Sequence, residues 1–395
     1  LRRSNLALVL DQLRRRGSSS RSQLVAATGL TRSAIAGLVG ELESIGLVVE
    51  TPPAPDGRPG RPSPVVQVDA GCVVALAIEI FVDEIGAAFV ALDGTVVSSV
   101  RHPRPRDRVA VTETVADVAA LVQRLEAGSG DSRRSSRHRL LGCGVSVPGL
   151  VREVDGFVVA APNLGWIDVS LAESLESALR LGVPIHVGND ADLGALAESR
   201  FGAGVGSDHM IFVSGEVGVG GGLVAAGRPV VGHLGFAGEI GHLPVNPEGR
   251  RCRCGSIGCW ETEVGEVALL DRAGLDPDGG RVAVEELLAR AAAGDPRAAD
   301  ALAVEARWLA IGIAGLVNVL DPDTVVLGGL FSRILPAVRS RLDDELAERR
   351  YVAARRDVAV VGATLGSQAV TVGAAELAFG RLLEDPAGVM GAAVA

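Results

Sequence analysis

The 395-residue sequence contains no lysine, and all 38 of its basic residues are arginine. This reads as coding bias and excludes nothing by itself. The chain also lacks a long apolar run: the most apolar helix candidate, Leu309 to Leu320, falls short of the roughly 20 residues that a bilayer demands. The apolar stretch at the N-terminus is cut by Asp11 before a signal-peptide core can form. These two absences lead to the expectation of a cytoplasmic protein with no membrane partner. Cysteine is scarce as well, five in all, yet three of the five crowd into the eight residues from Cys252 to Cys259. What remains is ordinary for a globular protein, 48% hydrophobic and 22% charged, over a length that allows two or three domains.

The crowded cysteines organise the reading. His242 is followed ten residues later by Cys252, then by Cys254 and Cys259, with Gly255 and Gly258 letting the chain double back. One imidazole and three thiolates form the closed four-ligand set expected of structural Zn2+. Three buried free cysteines or a disulfide are the alternatives, and neither explains the crowding in a cytosolic chain. Glu239 and Glu261 flank these ligands, so folding around one ion draws both carboxylates together. A carboxylate accepts two hydrogen bonds from a vicinal diol, and an imidazole with one nitrogen on zinc keeps the other to donate. Both glutamates could otherwise be ordinary surface groups.

The segments PNLGW at Pro162 to Trp166, GND at Gly188 to Asp190, GEIGH at Gly238 to His242 and CxCGxxGCWE at Cys252 to Glu261, taken in that order, resemble the ROK family of repressors, open reading frames and sugar kinases. The resemblance implies a sugar site made by Glu239, His242, Glu261, Asn189 and Asp190, with Asn163 as a further hydroxyl partner. It also implies the α/β fold of that family: a two-lobed actin-like (ribonuclease H-like) sugar-kinase fold.

Charge divides the chain. Residues 1–64 hold nine arginines against five acids, a net +4, which leaves −14 on the remainder of the −10 chain. A basic head on an acidic body points to a polyanion partner for the head alone. Leu6, Val9, Leu10 and Leu13 recur at helical spacing up to Gly17; Ser20 and Gln23 form a capping box for a helix ending at Gly29; Thr31 caps a third, in which Ile35, Leu38, Val39 and Leu42 face inward. Three short helices with a tight turn before the last read as an all-α winged helix-turn-helix domain, 1–64, for double-stranded operator DNA. Arg21, Thr31, Arg32 and Ser33 are its candidate contacts, with Arg58 and Arg61 in the Gly- and Pro-rich wing suited to a minor groove. A protein-interaction module with a Pro-rich linker is the bland alternative. The resemblance extends here, because the repressor branch carries such a head.

Strands at Val73 to Ile80, Ala87 to Ala91 and Thr95 to Val100 open a first lobe, 65–190, joined by a C-terminal helix at 372–385; the second lobe, 191–371, carries the zinc site. The first hairpin decides between enzyme and sensor. ROK kinases carry an Asp-x-Gly-Gly-Thr phosphate loop there, and this chain has Glu79, Ile80, Phe81, Val82 and Asp83. Phe81 and Val82 would crowd the phosphates and Asp83 would repel them. Gly218, Gly220 and Gly221, in a second glycine-rich segment, and Gly328 with Gly329 are possible nucleotide remnants, or simply tight turns. Asp190, the resemblance's catalytic base, then becomes a vestigial base that accepts a hydrogen bond from the ligand, and no catalytic residue is expected.

The expectation is a sugar-responsive transcriptional regulator, a repressor acting as a homodimer or dimer of dimers. An ATP-dependent sugar kinase with an accessory head, and a DNA-binding protein with a vestigial pocket, are its rivals.

Overall fold

A computed structural model describes residues 1–52, 64–106, 109–128, 138–349 and 358–391. Arg58 and Arg61 lie outside the described residues.

The head consists of α1 (Arg2–Arg16), β1 (Ser19–Ser20), α2 (Arg21–Thr28), α3 (Arg32–Ser44), β2 (Val48–Thr51) and β3 (Val65–Val68). The local signals act as expected. Ser20 Oγ accepts from Gln23 N at 3.2 Å while Gln23 Oε1 accepts from Ser20 N at 2.7 Å, a complete capping box. Thr31 Oγ1 caps α3 through Ala34 N at 3.3 Å. Ile35, Leu38, Val39 and Leu42 are buried, and Arg32, Ser33, Ala36 and Gly37 are exposed. The head is not purely helical: β1, β3 and β2 form a three-stranded antiparallel sheet in that order. Its third strand lies past residue 64, so the head's sheet extends four residues beyond the boundary drawn from the sequence.

Two lobes follow. In the first, β4 (Val73–Ile80), β5 (Glu84–Ala91) and β6 (Val96–Pro103) form an antiparallel meander. After α4 (Val111–Gly128), β7 (Arg139–Val147) adds parallel to β4. Three short strands, β8 (Leu150–Arg152), β9 (Phe157–Ala161) and β10 (Trp166–Ser170), make a separate small sheet that sequence periodicity did not reveal. Then come α5 (Leu171–Leu179), β11 (Ile185–Asn189) parallel to β7, and α6 (Asp190–Phe201).

The second lobe repeats the scheme. Strands β12 (Met210–Gly215), β13 (Val219–Ala225) and β14 (Arg228–Pro229) form the meander. Helices α7 (Glu261–Val264), α8 (Glu266–Ala273), α9 (Gly280–Ala292) and α10 (Pro296–Leu320) intervene, and β15 (Thr324–Gly328) pairs parallel to β12. After α11 (Gly329–Arg349), β16 (Ala359–Gly362) pairs parallel to β15, and α12 (Ala369–Glu384) and α13 (Pro386–Gly391) close the chain. The sheet orders β11-β7-β4-β5-β6 and β14-β13-β12-β15-β16 are the same five-strand scheme used twice, which is the duplicated actin-like architecture.

Helix α10 is longer than the apolar core expected at Leu309 to Leu320. At 25 residues it is long and apolar enough to cross a bilayer by length and composition, but Leu302, Leu309, Ile313 and Val317 are buried in the core of the second lobe. Glu305, on the same helix, is fully buried and receives Arg272 Nη1 at 3.1 Å. The apolar face of the helix is thus packed inside the protein, against Trp260, Leu269 and Leu330 among others.

Candidate functional site

The metal candidate is local in origin. His242 closes a single 3-10 turn at Ile240–His242, and backbone bridges Pro244 to Cys259 and Arg251 to Ile257 fold the following loop back on itself. Trp260 locks the loop in place: it is fully buried, and its Nε1 donates to Trp308 O at 2.8 Å on α10. The ligand atoms of His242, Cys252, Cys254 and Cys259 all lie within 4.8 Å of one another. Cys254 Sγ to Cys259 Sγ is 3.7 Å and Cys252 Sγ to His242 Nδ1 is 3.8 Å. Sulfurs about 3.7 Å apart suit a tetrahedral ion with Zn–S near 2.3 Å, and are far beyond a disulfide's ~2.0 Å. The donor set and its spacing therefore fit a bound Zn2+.

The same turn aims the imidazole. Its Nδ1 faces Cys252, leaving Nε2 3.7 Å from Glu239 Oε2. Glu261 Oε1 lies 3.8 Å from His242 Nδ1 on the other side. Glu239 is raised first by desolvation, while His242 lowers it and Asp190 and Glu261 raise it, so these four groups share one electrostatic environment. Asn163 belongs to it too. A Cβ on Gly218 would meet Glu261 Oε2 at 2.9 Å and Asn163 Nδ2 at 3.3 Å, so both side chains close over this glycine. Five of the six expected sugar residues, Asn163, Asp190, Glu239, His242 and Glu261, thus gather at one cleft.

Asn189 is placed differently from a free ligand. Its Oδ1 caps α6 through Ala191 N at 2.8 Å and Asp192 N at 3.1 Å, and its Nδ2 donates to Gly149 O at 2.9 Å. Only one amide hydrogen remains for a ligand, so its main work is to fix the start of α6. The next residue, Asp190, has its carboxyl pushed up to about 6 by desolvation. Asp192, which the sequence did not single out, is pushed up to about 8 by desolvation and by Glu153, Glu239 and Asp190. Arg253 was also missed: from between two cysteines its Nη1 donates to Asn163 Oδ1 at 3.1 Å. Its only sequence signal was its place inside the Cys-x-Cys pair.

The turn expected to face phosphates is bonded to the rest of the protein on several sides. The Phe81–Asp83 turn is held by Phe81 N donating to Glu84 O at 2.9 Å, by Arg104 N donating to Asp83 O at 2.8 Å, and by the Arg104 guanidinium donating to Phe81 O. Arg106 then bridges Asp83 and the buried Glu266 of the second lobe, each at 2.9 Å. Glu216 is paired with Arg333 at 3.2 Å. Asp83, expected to repel phosphate, is therefore compensated by Arg106, as Glu216 is by Arg333, and the bulk of the pinned turn is a greater obstacle to phosphate than its charge. The glycines have packing reasons. Gly220 and Gly221 lie within β13, where a Cβ on Gly220 would meet Ala191 Cβ at 2.7 Å and one on Gly221 would strike Ile240. A Cβ on Gly328 would meet the Phe212 ring at 2.5 Å, and Gly329 has a positive φ of 55° against Gly215 and Glu216.

Among the candidate DNA contacts, Arg32 and Ser33 are exposed at the start of α3. Thr31 is used as a cap, and Arg21 pairs with Glu50 at 3.1 Å.

A duplicated α/β body with a group of carboxylates gathered beside its glycine-rich strand, preceded by a small head of three helices and a three-stranded sheet, defines the class: an actin-like sugar-kinase fold with an N-terminal appendage. The chain belongs to the ROK family, which it matches over residues 75–381. It is 27% identical to the xylose repressor of Bacillus subtilis (strain 168) over 387 residues, 97% of both chains. It is 30% identical to a glucokinase of Streptomyces coelicolor over 326 residues, covering 77% of this chain and 97% of the enzyme. A crystal structure of a ROK family transcriptional regulator, described as a homolog of the Escherichia coli MLC protein, superposes with a TM-score of 0.78 at 25% identity, covering 100% of this chain and 98% of that one. The repressor relatives match head and body; the glucokinase matches a length that leaves roughly a quarter of this chain outside.

Proposed function

We propose that the protein is a sugar-responsive transcriptional repressor of carbohydrate genes, cytoplasmic, with the ROK cleft serving as sensor and the winged helix-turn-helix head binding operator DNA. One observation carries the choice over a kinase. The turn that would cradle phosphates holds Phe81 and Val82 in place of glycines and is pinned by Arg104 and Arg106, while the carboxylates expected to accept from sugar hydroxyls, Glu239, Asp190 and Glu261, lie together around His242.

In this reading Glu239, Glu261 and Asp190 accept from sugar hydroxyls, and His242 Nε2 and Asn163 donate. His242, Cys252, Cys254 and Cys259 would hold a structural Zn2+, and the loop they close carries both His242 and Glu261. Arg32 and Ser33 approach the major groove, and Arg58 and Arg61 the minor groove. A dimer presents two heads to two half-sites, and sugar changes operator affinity by favouring one arrangement of the lobes over another. The similarity to glucokinases favours a second reading, a sugar kinase with an accessory head.

The deciding experiment is titration calorimetry of the zinc-loaded protein with D-xylose, D-glucose and N-acetylglucosamine, with and without ATP, followed by operator binding with any sugar that binds. Sugar binding indifferent to ATP that alters DNA affinity supports the sensor. Phosphosugar formation establishes the kinase. No sugar binding, with operator affinity indifferent to sugars, leaves a DNA-binding protein with a vestigial pocket.

A further inference from the structure

The head is not a bead on a linker. Leu6, Val9, Leu10 and Leu13 of α1 share one continuous core with Ala375, Phe379 and Leu382 of α12 and with Leu193 of α6. Inside that apolar contact sits a charged junction. Glu376 of α12 is 3% exposed and Arg14 of α1 is 5% exposed. Arg14 reaches both carboxylate oxygens, with Nη1 to Oε2 at 3.1 Å, and its Nε donates to Leu92 O at 2.6 Å. Its guanidinium lies over the rings of Phe201 and Phe379, at 5.3 and 5.8 Å. Arg200 of α6 donates to the same Glu376 Oε2 at 2.8 Å and stands 3.9 Å from Asp11 of α1. Three helices from distant parts of the chain therefore meet at one buried carboxylate.

Both ends of α6 matter to this arrangement. It begins at Asp190 in the candidate sugar cleft, fixed by the Asn189 cap, and ends eleven residues later at Phe201 against Arg14. Near that far end the carboxylate of Glu198 accepts from Ala203 N at 2.7 Å and from Thr364 N and Leu365 N at 3.2 and 2.8 Å, which ties the helix to the loop after β16 in the second lobe. A twelve-residue helix is a stiff rod about 18 Å long. A shift of its first turn on ligand binding cannot be absorbed within it, so the shift appears at Arg200 and Phe201. A buried, multiply bonded ion pair does not stretch gradually; it either holds or gives way.

We infer that α6 is the mechanical link from the sugar cleft to the DNA-binding head, and that Glu376, through Arg14 and Arg200, is the positioning residue that fixes α1 to it. This rests on the sensor reading above, which it extends to the route of regulation.

The test measures operator affinity with and without the effector sugar for the full-length wild type, Glu376→Gln, Glu376→Asp and Arg200→Ala, alongside each protein's sugar affinity. The wild type should change operator affinity by about ten-fold or more with sugar. Glu376→Gln should bind sugar within about two-fold of wild type while the operator response falls below about two-fold, and Glu376→Asp should recover part of it. A purely adhesive role would lower thermal stability but leave that response intact. Arg200→Ala keeps the Arg14–Glu376 pair and serves if Glu376→Gln does not fold; it too should blunt the response. Folded Glu376→Gln or Arg200→Ala protein with a wild-type response overturns the link. A wild type whose operator affinity ignores every sugar overturns the sensor reading itself, a result separable from the first.

Discussion

Asp190→Asn is the sharpest probe of how the cleft holds its charge. Burial raises this carboxyl from 3.8 to about 6. Two units correspond to about 3 kcal/mol of unfavourable charge burial at neutral pH. The side chain is only partly buried, and cleft water screens part of that cost, leaving about 1–2 kcal/mol. The sign follows from the raised folded value: stability is complete below the unfolded value near 4 and is lost as pH rises through 6. The neutral amide escapes that loss and can still accept from Ala191 N, as Asp190 Oδ1 does at 2.9 Å. It also removes one of the charges that raise Glu239 and Asp192. Melting of the unliganded protein at pH 7.5 should therefore rise by about 1–2 °C, with the gain shrinking between pH 6 and pH 4. Sugar affinity should move the opposite way and weaken about 10- to 100-fold, the worth of one charge-assisted hydrogen bond. Circular dichroism melts across pH and calorimetric titration give both numbers. A lower melting temperature at pH 7.5, or a gain that does not depend on pH, would refute the reasoning.

Cys254→Ser removes the exposed ligand and should release about one equivalent of zinc while weakening sugar binding; metal loss with unchanged sugar affinity would show that the loop needs no ion to hold Glu261. Wild-type sugar affinity should itself fall as pH drops through about 6, because a protonated Asp190 no longer accepts; a flat profile from pH 7.5 to 5 argues against its contact with the ligand. Arg106→Ala strands the buried Glu266 and should cost about 3 kcal/mol or more, read by urea unfolding, where an unchanged midpoint would deny the interlobe bridge its role. Arg32→Ala and Arg58→Ala should each weaken operator binding several-fold and reduce its salt dependence with sugar binding intact. If neither alters operator affinity, the head's surface has been misassigned.

The sequence by itself determined what depends on neighbours along the chain. The Ser20–Gln23 box and the Thr31 cap needed only three-residue spacings, and both are present. The four-ligand cluster needed a loop of 18 residues that returns on itself, with Gly255 and Gly258 at positive φ. The family motifs then brought Asp190 and Asn163 to the same cleft. Strands of three to five residues at 150–170 escaped notice because so few positions show no clear period, and helices at 261–292 were hidden beside the cysteine-rich motif.

Only the tertiary structure decided the rest, because burial and pairing belong to surfaces brought together from far apart. Nothing local marks Arg106, one arginine in an arginine-rich stretch, as the partner of Glu266 160 positions away. Nothing local marks Arg14, the first of three consecutive arginines in a basic head, as the one that turns inward to Glu376 across 362 positions. The sequence could supply the charges; folding chose which of them would leave water, and a charge that leaves water must find its counterion wherever the fold has put one.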